Sequence, residues 1–307
     1  MKLPKRKFVQ LFFALLANTN VSFLWQKALY RGPFKGVCFP GLNCYSCPAA
    51  LFACPLGALQ QSLASLRLLG TQAVSAITYV VGSIVLFGLF MGRIVCGWVC
   101  PFGLLQELLY KIRTQKFACP RILYYVKYIL LVFFVIVLPI TLVSEIGYGK
   151  VWFCRLVCPA GTLEAGLFNL ALRPELSALV KSLFYWKIAL LITVLTLCVF
   201  YFRFFCKVLC PLGLIYGLFN KVGFFKLKWQ NRACLDCDIC EKVCPMGLKI
   251  PEELNSVECI RCLNCLKGCP AKVIELEFSL ILTERFDSRK SIGKRKLCAK
   301  TDEGLTK

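Results

Sequence analysis

Residues 68–92, LLGTQAVSAITYVVGSIVLFGLFMG, run for 25 residues without a charge between Arg67 and Arg93, and lead directly into Cys96-Gly-Trp-Val-Cys100-Pro101. At 1.5 Å per residue such a run outspans a ~30 Å hydrocarbon core, so it reads as a membrane helix that delivers a Cys-x3-Cys-Pro motif to one of its ends. Working outward, residues 8–26 are also uncharged but carry Asn18, Thr19, Asn20 and Ser22, which predicts a first span with a polar stripe facing protein. Residues 122–144 are interrupted only by Lys127, and residues 182–205 only by Lys187 and Arg203 near the ends, where long basic side chains can snorkel to the interface. Four spans follow. An even number puts both termini on one face, and the Lys2, Lys5, Arg6, Lys7 cluster places that face in the cytoplasm. A basic start and an apolar stretch also suit a signal peptide, but no small-x-small cleavage site follows, and the segment is expected to be retained.

The Cys-Pro motif recurs. Cys54-Pro-Leu-Gly-Ala-Leu, Cys100-Pro-Phe-Gly-Leu-Leu, Cys158-Pro-Ala-Gly-Thr-Leu and Cys210-Pro-Leu-Gly-Leu-Ile are four copies of one frame, and three have a partner cysteine four residues earlier, Cys96, Cys154 and Cys206. Proline in the first helical turn with free amides after the cysteine aims a helix N-terminus at an anionic centre. Cys54 precedes the second expected span and Cys100 follows it; Cys158 precedes the fourth and Cys210 follows it. The membrane part therefore reads as two parallel repeats. Cys96, Cys100, Cys206 and Cys210 should meet on the inner side as four ligands of one cluster. On the outer side Cys47, Cys54, Cys154 and Cys158, with Cys44 as substitute, are the expected ligands of another; disulfides among these and Cys38 are the alternative on an oxidising face. Cys119 and Cys198 read as membrane packing and Cys298 as a tail thiol.

From Lys228 the composition turns polar. Residues 1–228 carry 24 Lys and Arg against four acids, whereas residues 229–307 carry 14 against 12. Within the second part stand Cys234-x2-Cys237-x2-Cys240-x3-Cys244-Pro245 and Cys259-x2-Cys262-x2-Cys265-x3-Cys269-Pro270, the double run of bacterial two-cluster ferredoxins, in which the fourth cysteine of each run serves the other cluster. That pattern gives one [4Fe–4S] cluster to Cys234, Cys237, Cys240 and Cys269 and a second to Cys259, Cys262, Cys265 and Cys244. The expected organisation is an all-α integral membrane domain over 1–228, a small α+β ferredoxin domain over 229–282, and a disordered basic tail over 283–307.

The whole composition narrows the chemistry. The 307 residues are 58% hydrophobic, with 21 cysteines, no histidine and a formal net charge of +22. Absence of imidazole excludes His-ligated haem, Rieske centres and a catalytic histidine. A disulfide scaffold would be smaller and less apolar. Basic residues stand between apolar runs rather than on a polar face, so no nucleic-acid partner is expected; the partner of this charge is the membrane lipid and the clusters themselves.

On the inner pairs Cys96/Cys100 and Cys206/Cys210, the four-span frame and the C-terminal ferredoxin runs, the chain resembles the membrane polyferredoxin family. That family includes the quinol dehydrogenase membrane subunit of periplasmic nitrate reductase systems and the cluster-bearing half of the nitrous-oxide-reductase regulatory flavoprotein. The resemblance implies a multi-pass protein of a bacterial or archaeal cytoplasmic membrane, the electron-transfer subunit of an oxidoreductase, passing electrons between a cytoplasmic donor or the quinol pool and an outer-face redox partner such as a flavoprotein. The cysteine-rich outer loop departs from the simplest pattern of the family. Two other readings compete: a strict quinol dehydrogenase with a bound quinone and Glu164 or Glu145 as proton acceptor, and an iron–sulfur redox sensor or maturation factor. Arg93, Arg155, Arg203 and Lys207 stand beside candidate ligands, as counter-charges or as interface anchors. Two clusters at opposite faces of a ~30 Å core would be too far apart to exchange electrons unless both sink into it.

Overall fold

The protein, seen here in a computed structural model, is described over residues 5–26, 28–230 and 234–278. The expected tail, with Cys298, lies outside the described residues, as does the end of the expected ferredoxin unit.

The segment expected as a first span does not form one continuous helix. Helix α1 (Arg6–Ala17) has 12 residues, about 18 Å of rise, and stops at Asn18. The polar residues that follow bind elsewhere: the Asn20 side chain donates to the Pro48 carbonyl at 2.7 Å and its backbone N–H to Ala49. Asn20 does face protein, but from a loop rather than along a helix stripe, whereas Thr19 is exposed and the Asn18 side chain bonds back to the Ala14 carbonyl of its own helix. That loop returns to the end of α1, where Leu51 N–H and the Asn43 amide both reach the Ala17 carbonyl. Helix α2 (Pro55–Ala64) starts there, with Cys54 at its N-cap and proline in its first turn.

After a turn at Gly70, which takes a positive φ of 50°, α3 (Thr71–Met91) runs back alongside α2. The short helices α4 (Ile94–Trp98) and α5 (Pro101–Leu109) carry the Cys96/Cys100 pair. A long helix, α6, covers Arg121–Thr141; it opens as a 3₁₀ turn and contains a π-helical stretch over Leu130–Val137. Helices α7 (Trp152–Leu156) and α8 (Gly161–Leu167, continued by Phe168–Leu172) flank Cys158, and α9 (Ser182–Phe200) leads to α10 (Phe204–Val208) and α11 (Pro211–Leu218) around Cys206 and Cys210. Among the described residues three helices, α3, α6 and α9, are long and apolar enough to cross a membrane, one fewer than expected.

The polar unit follows. Strand β1 (Phe225–Trp229) pairs antiparallel with β2 (Ile274–Phe278), Leu227 facing Leu276, so the first strand begins before the boundary drawn at 229. Between them lie α12 (Ile239–Lys242) and α13 (Asn264–Gly268) with the two cysteine runs. Two apolar cores result, one around the membrane-side cysteines and one around the second run, and the Trp98 ring packs against both.

The three basic residues expected to snorkel outward turn inward instead. Lys127 is fully buried and pairs with Glu258 of the ferredoxin unit; Arg203 is fully buried against Glu107; Lys187 reaches the Cys154 carbonyl at 3.4 Å. Carboxylates and carbonyls supplied by neighbouring segments are better partners for a buried cation than an interface out of reach.

Candidate iron–sulfur centres

The cysteines gather in four quartets. In the ferredoxin unit, one small cavity is lined by Cys244, Cys259, Cys262 and Cys265, and another by Cys234, Cys237, Cys240 and Cys269, the two groupings read from the sequence. In the membrane part, Cys96, Cys100, Cys206 and Cys210 are all buried and lie within electrostatic reach of one another. We call these the ferredoxin-side group. A distal group lines a chamber of about 200 Å³: Cys44, Cys54, Cys154 and Cys158. Cys47, expected ahead of Cys44, does not line it, and Cys38 sits apart, its backbone bridged to that of Ala53. Cys119 and Cys198 are buried outside the quartets, Cys119 in the loop before α6 and Cys198 on α9 with its Sγ donating to the Gln106 side-chain carbonyl at 3.6 Å.

The frames share their opening: Cys54, Cys100 and Cys210 cap helices whose proline occupies the first turn. In the two frames of the second half, the glycine three residues on also turns its N–H to the cysteine sulfur, Gly161 to Cys158 at 3.4 Å and Gly213 to Cys210 at 3.3 Å. Glycine is also needed for space. A Cβ on Gly103 would come within 3.0 Å of the Cys96 carbonyl and 3.2 Å of the Arg203 guanidinium.

The two halves brace each other reciprocally. Arg203 Nη1 donates to the Cys96 carbonyl at 2.6 Å, and Arg93 Nη2 donates to the Cys206 carbonyl at 2.8 Å. Neither arginine is exposed. Arg203 is neutralised by Glu107, which also meets Arg6 at 2.7 Å and Lys7; Arg93 is neutralised by Glu258 at 2.9 Å. Both therefore stand as buried counter-charges beside the ferredoxin-side group and not as interface anchors. Lys207 is buried too, while Arg155 is exposed at the mouth of the distal chamber beside Lys187.

A second set of side chains, of which only Glu164 stood out in the sequence, occupies the sixth position after each frame cysteine. Gln60 donates to Cys154 Sγ at 3.2 Å while its carbonyl accepts the Phe153 N–H. Gln106 donates to Cys206 Sγ at 3.1 Å and accepts the Cys206 N–H. Glu164 accepts the Cys44 N–H at 2.6 Å, and burial pushes its carboxyl up to about 7. Glu145, the other carboxylate considered, is exposed. The fourth position is Tyr216. The repeat was there to be read, since the quoted hexapeptides end one residue short of it.

Spacing between groups is small. Leu42 and Asn43 line the distal chamber with Cys54, and Gly41 just before them packs on Cys100, where a Cβ would come within 3.0 Å of its Cα. Two residues of chain span at most ~7 Å, so the two membrane groups are on the order of 10 Å apart. The groups are not at opposite faces of the core. On the other side, Arg261 between Cys259 and Cys262 reaches back to α3: its Nη1 donates to the Met91 carbonyl at 3.4 Å and its Nη2 to the Asn220 carbonyl at 2.8 Å. Trp98 Nε1 donates to the Arg261 carbonyl at 3.1 Å, and Gly97 is packed so closely that a Cβ would collide with the Ile260 carbonyl. Buried Asn220 ties the same junction, accepting Arg93 N–H and donating to the Ser256 and Cys259 carbonyls.

The donor sets fit iron–sulfur clusters. Burial pushes the Cys96 and Cys54 thiols up to about 11, so quartets of thiolates this enclosed need a cationic centre to form. Among the described residues no three His, Cys, Asp or Glu side chains converge on a position for a single metal ion, and the distal quartet stands around the larger space of its chamber.

Comparison with known proteins agrees. Residues 72–120, 126–174 and 183–232 each match the 4Fe-4S binding domain family. The uncharacterized protein MJ0750 of Methanocaldococcus jannaschii is 36% identical over 206 residues, covering 64% of this chain and 76% of its own. The chain belongs to the membrane polyferredoxin family. This polyferredoxin is also 26% identical to the ferredoxin-type protein NapH of Escherichia coli, over 70% of this chain and 71% of NapH. The putative electron transport protein YccM of the same organism is 26% identical over 72% of this chain and 60% of YccM. No solved structure matches the polyferredoxin. It is a membrane iron–sulfur protein of electron transport.

Proposed function

We propose that this polyferredoxin holds four [4Fe–4S] clusters in line and carries electrons between a cytoplasmic donor or the quinol pool, on its ferredoxin side, and a redox partner beyond the distal group. The ligands would be Cys234, Cys237, Cys240 and Cys269; Cys259, Cys262, Cys265 and Cys244; Cys96, Cys100, Cys206 and Cys210; and Cys44, Cys54, Cys154 and Cys158. Bound clusters would supply one-electron storage at each quartet. The residues of the chain do the rest. Frame amides turn to the cysteine sulfurs, Arg93 and Arg203 hold positive charge where reduction adds negative charge, and apolar packing around each quartet excludes water.

The observation that carries the reading is the continuity of the line: the Ile260–Arg261 loop packs on α4, and Gly41, Leu42 and Asn43 stand between the two membrane groups. The reciprocal contacts of Arg93 and Arg203, which stand three residues before the first cysteine of the pair in each half, support two parallel repeats. Helices α1 and α2 meet end to end at the Ala17 carbonyl and together offer about 33 Å of helix, so a broken first crossing supplies the fourth passage. Arg6 and Lys7 pair with Glu107 on the ferredoxin side, which supports both termini facing the cytoplasm. The test is an iron and acid-labile sulfide count on anaerobically purified protein: about 16 iron atoms are expected, and about 12 or fewer would overturn the four-cluster reading. Quinol oxidation is a second reading, favoured by Glu164 at the distal chamber with a carboxyl that titrates near neutrality. Unchanged quinol oxidation in Glu164→Gln would count against it.

A further inference from the structure

Tyr216 is the one sixth-position residue without a partner. Gln60, Gln106 and Glu164 each bond to a cysteine of another segment, through its sulfur or its N–H. Tyr216 is fully buried at the matching place on α11, yet its hydroxyl finds no hydrogen-bond partner among the described residues. Leaving a buried hydroxyl unsatisfied costs roughly 1–3 kcal/mol, and phenylalanine would fill the same space. Its ring shares one apolar core with cysteines of both membrane groups, and the charges that bear on it most strongly are those of Cys96, then Cys54, Cys38 and Cys100. Two of these belong to the ferredoxin-side group and one to the distal group, so the phenol lies in the partition between them.

We propose that the Tyr216 hydroxyl donates a hydrogen bond to a sulfur of the centre held by Cys96, Cys100, Cys206 and Cys210, and thereby sets the reduction potential of that centre. This rests on the four-cluster reading above. The direction follows from charge: a donor to sulfur stabilises the reduced, more negative form, so the tyrosine raises the potential. Gln106 already serves Cys206 of the same quartet, and Tyr216 would do so from the opposite repeat. The aromatic ring also fills the partition and keeps water out of it, a role that phenylalanine retains. The hydroxyl alone is therefore the group under test.

The experiment uses full-length protein purified without oxygen, as wild type and as Tyr216→Phe, titrated with dithionite and followed by electron paramagnetic resonance. The wild-type iron count comes first: about 16 atoms keeps the four-cluster reading, independently of what the variant does. The Phe variant is expected to hold the same iron, with one one-electron couple moved to a more negative potential. At fixed potential its oxidised-to-reduced ratio should rise about tenfold, the equivalent of one charge-assisted hydrogen bond. The couple that moves should be the one abolished in Cys206→Ala. An unmoved couple at full iron content would overturn the proposal, as would a shift confined to the ferredoxin clusters. Loss of about four iron atoms from the Phe variant would overturn it as well, because a hydroxyl that only sets a potential is not needed for assembly. Tyr216→Leu separates hydroxyl from ring: it should show the same shift, and a shift absent in Phe but present in Leu would assign the effect to packing.

Discussion

Cys44 and Cys47 differ by three positions and have different surroundings. Cys44 lines the distal chamber with its N–H fixed by Glu164, whereas Cys47 is buried in the turn beyond it. Cys44→Ala is therefore expected to lose about four iron atoms from the purified protein, and Cys47→Ala to keep them all. Equal losses would show that the chamber lining does not decide ligation. The grouping of the cysteines in the ferredoxin unit was legible because three thiols on one short loop are a local pattern. Which of Cys44 and Cys47 lines the distal chamber was not, since that depends on where Asn43 and Glu164 pin a long loop.

Glu107 makes a second case at this scale. Burial alone would raise its pKa, but Arg203, Arg6 and Lys7 more than reverse this and hold it below the ordinary carboxylate value. A depressed native pKa contributes stability above the unfolded value and loses it as pH falls through the native one. Glu107→Gln leaves Arg203 buried without a counter-charge, which should cost about 3–5 kcal/mol. Thermal unfolding in detergent at neutral pH reads the loss, and the gap between variant and wild type should narrow as the pH drops below ~4.5. A variant as stable as wild type at pH 7 would mean that the guanidinium finds another partner.

Elements show where reading by composition stops. An uncharged run of 19 residues with polar interruptions looks the same whether it is one striped helix or a half-helix followed by a structured loop. The difference lies in what Asn18 and Asn20 bind, and Asn20 binds the loop that carries Cys44 and Cys47. The three long helices were legible because length and hydropathy suffice for them. Packing of α4 on the ferredoxin unit was not. Gly97→Ala forces a Cβ into the Ile260 carbonyl, a backbone contact that cannot rotate away, and overpacking of this kind costs about 1–3 kcal/mol. The ferredoxin unit should then be released sooner by limited proteolysis, and electrons should pass more slowly between it and the membrane groups at unchanged iron content. Gly36→Ala, where a Cβ meets nothing within 4 Å, is the control. Identical proteolysis of the two variants would show that α4 is not the dock.

At the scale of the molecule, the formal +22 was counted on a bare chain. Four clusters with four thiolates each, at roughly −2 when oxidised, would reduce it to about +14. Part of the remainder is buried and already matched, as with Arg93 and Arg203. Another part is exposed, and Arg155 and Lys187 line the mouth of the distal chamber. Reduced protein should accordingly be oxidised faster by a small anionic iron complex than by a cationic cobalt complex of similar potential, and the preference should shrink as salt is raised from 10 to 500 mM, on the order of a tenfold fall in Debye length. No preference at low salt would place the exit elsewhere.

The short stretch from Gly41 to Asn43 has a consequence for how many electrons the membrane part can store. Gly41 packs on Cys100 while Leu42 and Asn43 line the distal chamber, so the two sites share a wall a residue or two thick. Unit charges ~10 Å apart repel by about 2 kcal/mol at an effective dielectric of 20. An electron resting on one site would thus oppose the arrival of another next door by more than an order of magnitude in population. The pair would work as a turnstile, admitting electrons one at a time.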